Sequence, residues 1–451
     1  VPDLSRRSLL RTGTGGHVLL LPHRKGLLRM PVAPPAHLPG TLAICLWDFS
    51  WYTRTGPGEP FADLDRAFAE TVERGYNTIR VCAMPLLLFG PGGPRGPLTL
   101  GPLGGRYGQG LRWYDVRATT TLPDPRAHLL ALFEAARRHD VHVILSSWEY
   151  QQSPSFAGDR AWFDAVMAID PEERAEALAG ALADLIDFLA AHDGLDDRVA
   201  FTELHNEVQA GRLTDGLTGD DTVAALTPRL ERGLARFHER HPGRPVTVNY
   251  AQVPVGSLHA LPEGMDVAAF HPYVYGVLDE LLDTFALRDT SRPFPQERAR
   301  RELLRADAPP LEEWTPPEAD RWRTEATVVG PREVYVHDWC DPRAWDVWLY
   351  ERYATHRLAM EQRLTDWIAA AADWAAMREI PLVFGEGWIG YTPLHGTFEE
   401  GPVGAAWCRR AVTEAARRGA WGAVVCSNAA PHHPMWQDTA LQRECNDLLR
   451  G

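Results

Sequence analysis

Eight short apolar runs, each followed by a stretch of helical periodicity, constrain this chain more than any other feature. From residue 41 onward the runs fall at 42–46, 78–83, 141–146, 199–204, 246–250, 265–270, 381–384 and 422–426. Runs of this length between amphipathic stretches read as buried parallel strands in repeated βα units. Several helices mark their own starts. Asp124-Pro125, Asp170-Pro171 and Thr227-Pro228 each place a capping side chain before a proline suited to the first helical position. Leu178, Leu182, Leu185, Ile186 and Leu189 share one face, and Gly194 closes that helix; Phe61, Leu64, Phe68 and Val72 do the same before Gly75. Eight such units close most simply into a barrel. The alternative, an open dinucleotide-binding sheet, should show a Gly-rich turn directly after its first strand. Here that strand runs into Trp47-Asp48-Phe49-Ser50-Trp51-Tyr52, which is bulky and aromatic. The expected fold class is α/β, a (β/α)8 TIM barrel.

Two insertions interrupt the repeat. Residues 90–110 hold nine glycines and four prolines, which predicts irregular structure over the C-terminal face of the barrel. The segment 277–345, rich in proline and charge and carrying Trp314, Trp322, Trp339 and Trp345, reads as an insertion subdomain after the sixth strand. Residues 1–40 stand apart as a disordered N-terminal extension, leaving 41–451 as the barrel. The first 29 residues hold Arg6, Arg7, Arg11, Arg24, Lys25 and Arg29 against Asp3 alone, so the remainder carries −19 of the net −14. Ser5-Arg6-Arg7-Ser8-Leu9-Leu10-Arg11 has the look of a twin-arginine export signal, but Pro22-His23-Arg24-Lys25 cuts its apolar region short. An upstream extension with Met30 as the natural start is the other reading.

Charge and composition exclude several classes of function. The net −14 opposes nucleic-acid binding, and no run of about 18 apolar residues exists to span a membrane. Lys25 is the only lysine, so phosphate-loop, Schiff-base and pyridoxal-phosphate chemistry have no lysine inside the barrel. Cys45, Cys82 and Cys426 lie in apolar runs as expected of buried free thiols, and no CxxC pair suggests zinc or redox chemistry. A reduced cytoplasmic protein fits this best. The oligomeric state is not legible.

Catalytic residues in barrels come from the C-terminal ends of different strands. The fourth run continues Glu203-Leu204-His205-Asn206-Glu207 and the seventh ends Phe384-Gly385-Glu386-Gly387-Trp388. By strand alternation Glu203, His205 and Glu207 share one face, as do Leu382, Phe384 and Glu386. Two carboxylates on opposite rims are what glycoside hydrolysis needs: one protonates the departing oxygen, the other attacks the anomeric carbon or activates water. Sugar rings stack on indole, which makes Trp47, Trp148 and Trp388, all at strand ends, substrate-binding candidates along with Asp48.

On these motifs the chain resembles the cellulase-like retaining β-glycosidases of glycoside hydrolase clan A. Asn206-Glu207 matches the clan's acid/base motif, Gly385-Glu386-Gly387 its nucleophile motif, Arg80 the arginine near the end of the second strand, and His271-Pro272-Tyr273 the His-x-Tyr after the sixth. Val208 stands where many members have proline, and Cys426-Ser427-Asn428 stands where the family commonly has a sugar-stacking tryptophan, a place Trp436 could fill from the loop. The resemblance implies retention of configuration at a β-linked O-glycoside, without metal or cofactor. Glu207 should then hold a proton near neutral pH. Glu386 should be ionised and stabilised by Arg80 and the Tyr273 hydroxyl, and Asn206 should bind the sugar 2-hydroxyl. Arg80 also has a purely structural reading, as counterion to Glu203. Two rival functions are a sugar-binding barrel that has lost catalysis and a metal-dependent barrel hydrolase. The latter should show His-x-His on the first strand, which here reads Cys45-Leu46-Trp47-Asp48, and His432-His433 has the wrong spacing for joint ligation. The sugar, its linkage and exo or endo action are not legible, although −19 on the body disfavours strongly acidic polysaccharides.

Overall fold

Each apolar run becomes a strand of one parallel sheet. The computed structural model describes residues 30–94, 96–100, 120–154, 156–316, 330–390, 392 and 396–451. The strands are β1 Leu42–Asp48, β2 Thr78–Cys82, β3 His142–Ser146 and β4 Val199–Glu203, with β5 in two segments, Val246–Thr247 and Asn249–Ala251. They continue as β6 Ala268–His271, β7 Leu382–Phe384 and β8 Gly422–Val424. Every pairing is parallel, and β1 lies between β2 and β8. The two ends of the sheet are the two segments of β5: Val246 pairs with Thr202 of β4, and Asn249 pairs with Ala269 of β6. A single interrupted strand thus joins both ends, and the sheet is a nearly closed (β/α)8 barrel. Strands β1 to β4 are buried at every residue, which explains why they read as apolar runs rather than alternating ones.

The helices between strands follow from local signals, with three exceptions. Asp124 accepts from the Arg126 and Ala127 amides and starts the helix Pro125–Arg138 as expected. Asp170-Pro171 does not start a helix: the Asp170 carboxylate accepts from the Glu172 amide, and the helix begins at Arg174 without a side-chain cap. The helix Arg174–Ala191 buries Leu178, Leu182, Leu185, Ile186 and Leu189. Thr227-Pro228 does not start a helix. Asp221 caps Thr222–Arg240 instead, accepting from the Ala224 amide, and Pro228 lies within the helix while the Thr227 hydroxyl donates back to the Val223 carbonyl. Val72 is exposed, because Thr71 with Ala67 and Phe68 takes the buried face of the helix Leu64–Glu73.

Two expectations about the periphery change. The segment 90–110 is not wholly irregular: Leu98–Leu100 pairs antiparallel with Thr120–Leu122, burying Leu98, Leu100 and Leu122 on one side. Residues 101–110 lie outside the described residues. Residues 31–40, expected to belong to a disordered extension, are tied to the barrel. The Val32 amide donates to Asp266, His37 bonds the Asp197 carbonyl, and the Trp421 indole donates to the Pro39 carbonyl. The basic residues 1–29 lie outside the described residues. The insertion after β6 carries helices Val277–Thr284, Gln296–Glu302 and Pro331–Trp339, then runs into a 36-residue helix, Pro342–Met377, that returns to β7. Its tryptophans pack: Trp345 lies against His337, Trp314 against Tyr335, and the Arg305 guanidinium sits over Trp339. Trp322 lies outside the described residues. All six cysteines are buried free thiols.

Candidate active site

Arg80 of β2 organises the C-terminal mouth of the barrel. Its Nε and Nη2 both donate to Glu203 Oε2, at 3.0 and 2.7 Å, its Nη1 donates to Glu386 Oε1 at 2.8 Å, and its Nη2 donates to Asn206 Oδ1 at 2.7 Å. Both readings of Arg80 are therefore realised in one fork, which a point-charge lysine could not match. The side chain is fully buried. Burial opposes its charge, but Glu203 and Glu386 overcome that and hold it well above the usual arginine range.

Two carboxyl groups face one another beside this cation. Glu207 follows β4 in a left-handed backbone conformation (φ 40°), and its amide donates to Asn249 Oδ1. That same Asn249 donates its Nδ2 to Glu203 Oε2 at 2.6 Å. Glu386, two residues beyond β7, accepts from Arg80 on one oxygen and from the Tyr273 hydroxyl on the other, at 2.7 Å. Ser427 Oγ, at the end of β8, lies 2.6 Å from the Tyr273 oxygen and accepts from the Gly387 amide at 3.0 Å. His271 Nδ1 lies 3.1 Å from Glu207 Oε1 and 3.6 Å from Glu386 Oε1. Burial, with the charge of Arg80, holds this imidazole well below its usual range. Its single proton on Nδ1 can then be donated to Glu207.

These surroundings separate the two acids. Burial and then the charge of Glu386 push Glu207 up to about 8, against a weaker pull from Arg80. Burial also raises Glu386, but Arg80 and the Tyr273 hydroxyl both oppose it there. The proton of the pair therefore resides first on Glu207. Gly385 makes the packing possible. A Cβ at that position would lie 3.0 Å from His271 Nε2 and 3.3 Å from Arg80 Nε.

The structure thus brings Arg80, Asn206, Glu207, His271, Tyr273 and Glu386 together. Asn206 differs in detail: its amide is engaged at both ends, accepting from Arg80 and donating to Gln151 Oε1 at 3.1 Å. His205 leaves the face it was expected to share with Glu207. The strand stops at Glu203, and His205 Nε2 accepts from the Tyr150 amide. The tryptophans are wall rather than platform. Trp47 is fully buried between Phe61 and Phe68, Trp148 packs on Phe49, and Trp388 packs on Phe384 with its indole donating to the Val425 carbonyl. Trp436 lies beneath the Arg74 guanidinium and stacks with Tyr76, so it does not supply the missing platform either. Asp48 lies near enough for its charge to raise Glu386. Sequence reasoning missed Asn249 and Ser427. Asn249 had a signal, as a carboxamide inside an otherwise apolar strand run.

Among the described residues one set could hold a metal ion: Glu207, His271 and Glu386, whose ligand atoms all lie within 4.8 Å of one another. The Arg80 guanidinium already places a positive charge on Glu386 there.

Residues 44–153, covering β1 to β3, match the family described as "Cellulase-like: Sugar-binding cellulase-like". The fold is that of a protein described as a "putative glycoside hydrolase" from Parabacteroides distasonis, at 19% identity and a TM-score of 0.63, covering 91% of this chain and 93% of that one. Two more distant matches are a Bacteroidetes-affiliated GH5 cellulase (12% identity, TM-score 0.47, 90% and 92% covered) and GH5_18 from Streptomyces cattleya in complex with GlcNAc (14%, 0.47, 91% and 80%). No curated protein matches this sequence.

Proposed function

We propose that this barrel is a cellulase-like glycoside hydrolase that cleaves a β-linked O-glycosidic bond with retention of configuration. Glu207 is the acid/base and Glu386 the nucleophile. The observation that carries the reading is the pairing of two carboxyl groups with oxygens within 4.8 Å, the part-buried Glu207 pushed up to about 8 and the buried Glu386 gripped by Arg80 and Tyr273. Retaining enzymes hold their carboxyl groups about 5–5.5 Å apart, whereas inverting enzymes leave roughly 6.5–9.5 Å for a water.

Glu207, protonated at neutral pH, gives its proton to the departing oxygen while Glu386 attacks the anomeric carbon. The positive charge developing on the sugar is met by the carboxylate of Glu386, with Arg80 and Tyr273 fixing its two oxygens. Glu207, now anionic and receiving the His271 Nδ1 proton as a hydrogen bond, takes a proton from water, and that water releases the sugar from Glu386. The substrate is a carbohydrate.

Leaving-group dependence tests the acid role. In Glu207→Ala, hydrolysis of an alkyl β-glycoside should fall about 10²–10⁴-fold. A dinitrophenyl β-glycoside, whose leaving group needs little protonation, should lose far less in the first, glycosylation step. Equal losses on both would make Glu207 a structural residue.

A further inference from the structure

A second polar cluster borders the nucleophile on the side of β1 and β8, and nothing in the two-carboxylate chemistry uses it. Asp48 ends β1 in a left-handed backbone conformation (φ 45°). Its Oδ1 accepts twice from Ser50, from the amide at 2.6 Å and from the hydroxyl at 2.7 Å. The Ser50 hydroxyl has one proton, and that proton is spent on Asp48. The oxygen of Ser50 lies 3.1 Å from His432 Nε2, so Nε2 carries the imidazole proton and donates it to Ser50. Two acceptors are left over. His432 Nδ1 has no partner among the described residues, and Asp48 Oδ2 has only His432 Nε2, at 3.5 Å. Both side chains are almost wholly buried, 4% and 1% exposed. Buried acceptors without donors are costly, and they occur where a ligand supplies the donors.

Their place in the barrel says which ligand. Strand β1 pairs with β8, Ile44 opposite Val424. Asp48 lies four residues beyond Ile44 and Ser427 three beyond Val424, so both stand on the same rim. Ser427 contacts the Tyr273 hydroxyl that holds Glu386, and the Asp48 charge reaches Glu386 itself. Resting on the glycosidase reading, we infer that Asp48 and His432 clamp two neighbouring hydroxyl groups of the sugar bound at Glu386. The substrate class follows from the donor count. Two acceptors take two hydroxyl donors, and a carboxylate or sulfate at the clamped position is excluded by Asp48.

The test uses the aryl β-glycoside the full-length protein hydrolyses best, its 3-, 4- and 6-deoxy analogues, and the matching uronide. Removing a clamped hydroxyl should lower kcat/KM about 10–100-fold in the wild type, because it leaves a buried acceptor unpaired. In Asp48→Asn or His432→Gln the parent glycoside should lose a similar factor, while the penalty for that same deoxy analogue should shrink below 3-fold. Asp48→Asn should also raise kcat/KM for the uronide at least 10-fold. Two variants guard against one failing to fold. A deoxy penalty that persists in the folded variants, or a wild type with no deoxy penalty above 3-fold, overturns the clamp. An aryl 2-deoxy-2-fluoroglycoside separates the two readings. Labelling of Glu386 with an unchanged deoxy penalty removes the clamp alone, whereas no labelling and no hydrolysis of any glycoside removes both.

Discussion

Replacing Glu207 by glutamine should make the protein more stable as pH rises, even though it should disable the reaction. The wild-type carboxyl is pushed from the ordinary 4.5 to about 8 by burial and by Glu386. An acid raised in the fold contributes stability that is complete below its unfolded pKa, here about 4.5, and that is lost as pH climbs to about 8. Above that pH both states are ionised and the loss is constant. One pKa unit is worth about 1.4 kcal/mol, so this group alone removes on the order of 5 kcal/mol between those limits, and relaxation in solution brings the figure nearer 3. The side chain is only 15% exposed, so solvent screening takes little from this. Glutamine keeps the oxygen that accepts from His271 and carries no charge at any pH, so its stability curve lacks this loss. Urea unfolding of both proteins at pH 5, 6.5 and 8.5 reads the effect, and taking the difference cancels groups common to both. The variant should gain on the wild type by about 3 kcal/mol from the lowest to the highest pH. A difference that stays flat across that window would mean Glu207 is not held protonated, and the assignment of acid and nucleophile would lose its electrostatic basis.

Gly385→Ala should lower kcat about 10²-fold, with stability reduced by only about 1–3 kcal/mol, because the new methyl pushes His271 and Arg80 away from the two carboxylates; unchanged kinetics in a folded variant would contradict the packing described. Dialysis against a chelator should leave activity unchanged, since Arg80 already supplies the positive charge at Glu386. A loss restored by a divalent cation would make Glu207, His271 and Glu386 a metal site.

The barrel was legible because its strands are buried on both faces and therefore appear as uninterrupted apolar runs. The break at Val248 in β5 was not legible, since Val246 to Tyr250 reads as continuous except for Asn249. Helix boundaries failed where one rule was used alone. Pro at 228 looked like a first-turn proline, but Asp221 offers its side chain to the Ala224 amide, and the helix starts there, nearly two turns before Thr227. The βα pattern fixes where each strand ends, and that located Arg80, Glu207, His271 and Glu386 at the mouth of the barrel. The tryptophans were misjudged for a physical reason. An indole at a strand end can turn inward to the mouth or outward to the helices, and Trp47 follows Phe61 and Phe68 outward. The clamp of Asp48, Ser50 and His432 joins positions more than 380 residues apart, and no periodicity announces such a pair.

The central claim is that Glu386 attacks the sugar directly. Incubation with an aryl 2-deoxy-2-fluoro-β-glycoside of the preferred sugar, followed by peptide mass mapping, tests it most directly. Fluorine slows release of the sugar, so time-dependent inactivation should leave one added fluoroglycosyl mass on the peptide containing Glu386. The first product seen by NMR from the unmodified glycoside should be the β-anomer. Inactivation that labels another residue, or an α-anomer formed first, would contradict the assignment of Glu386 and the retaining mechanism with it.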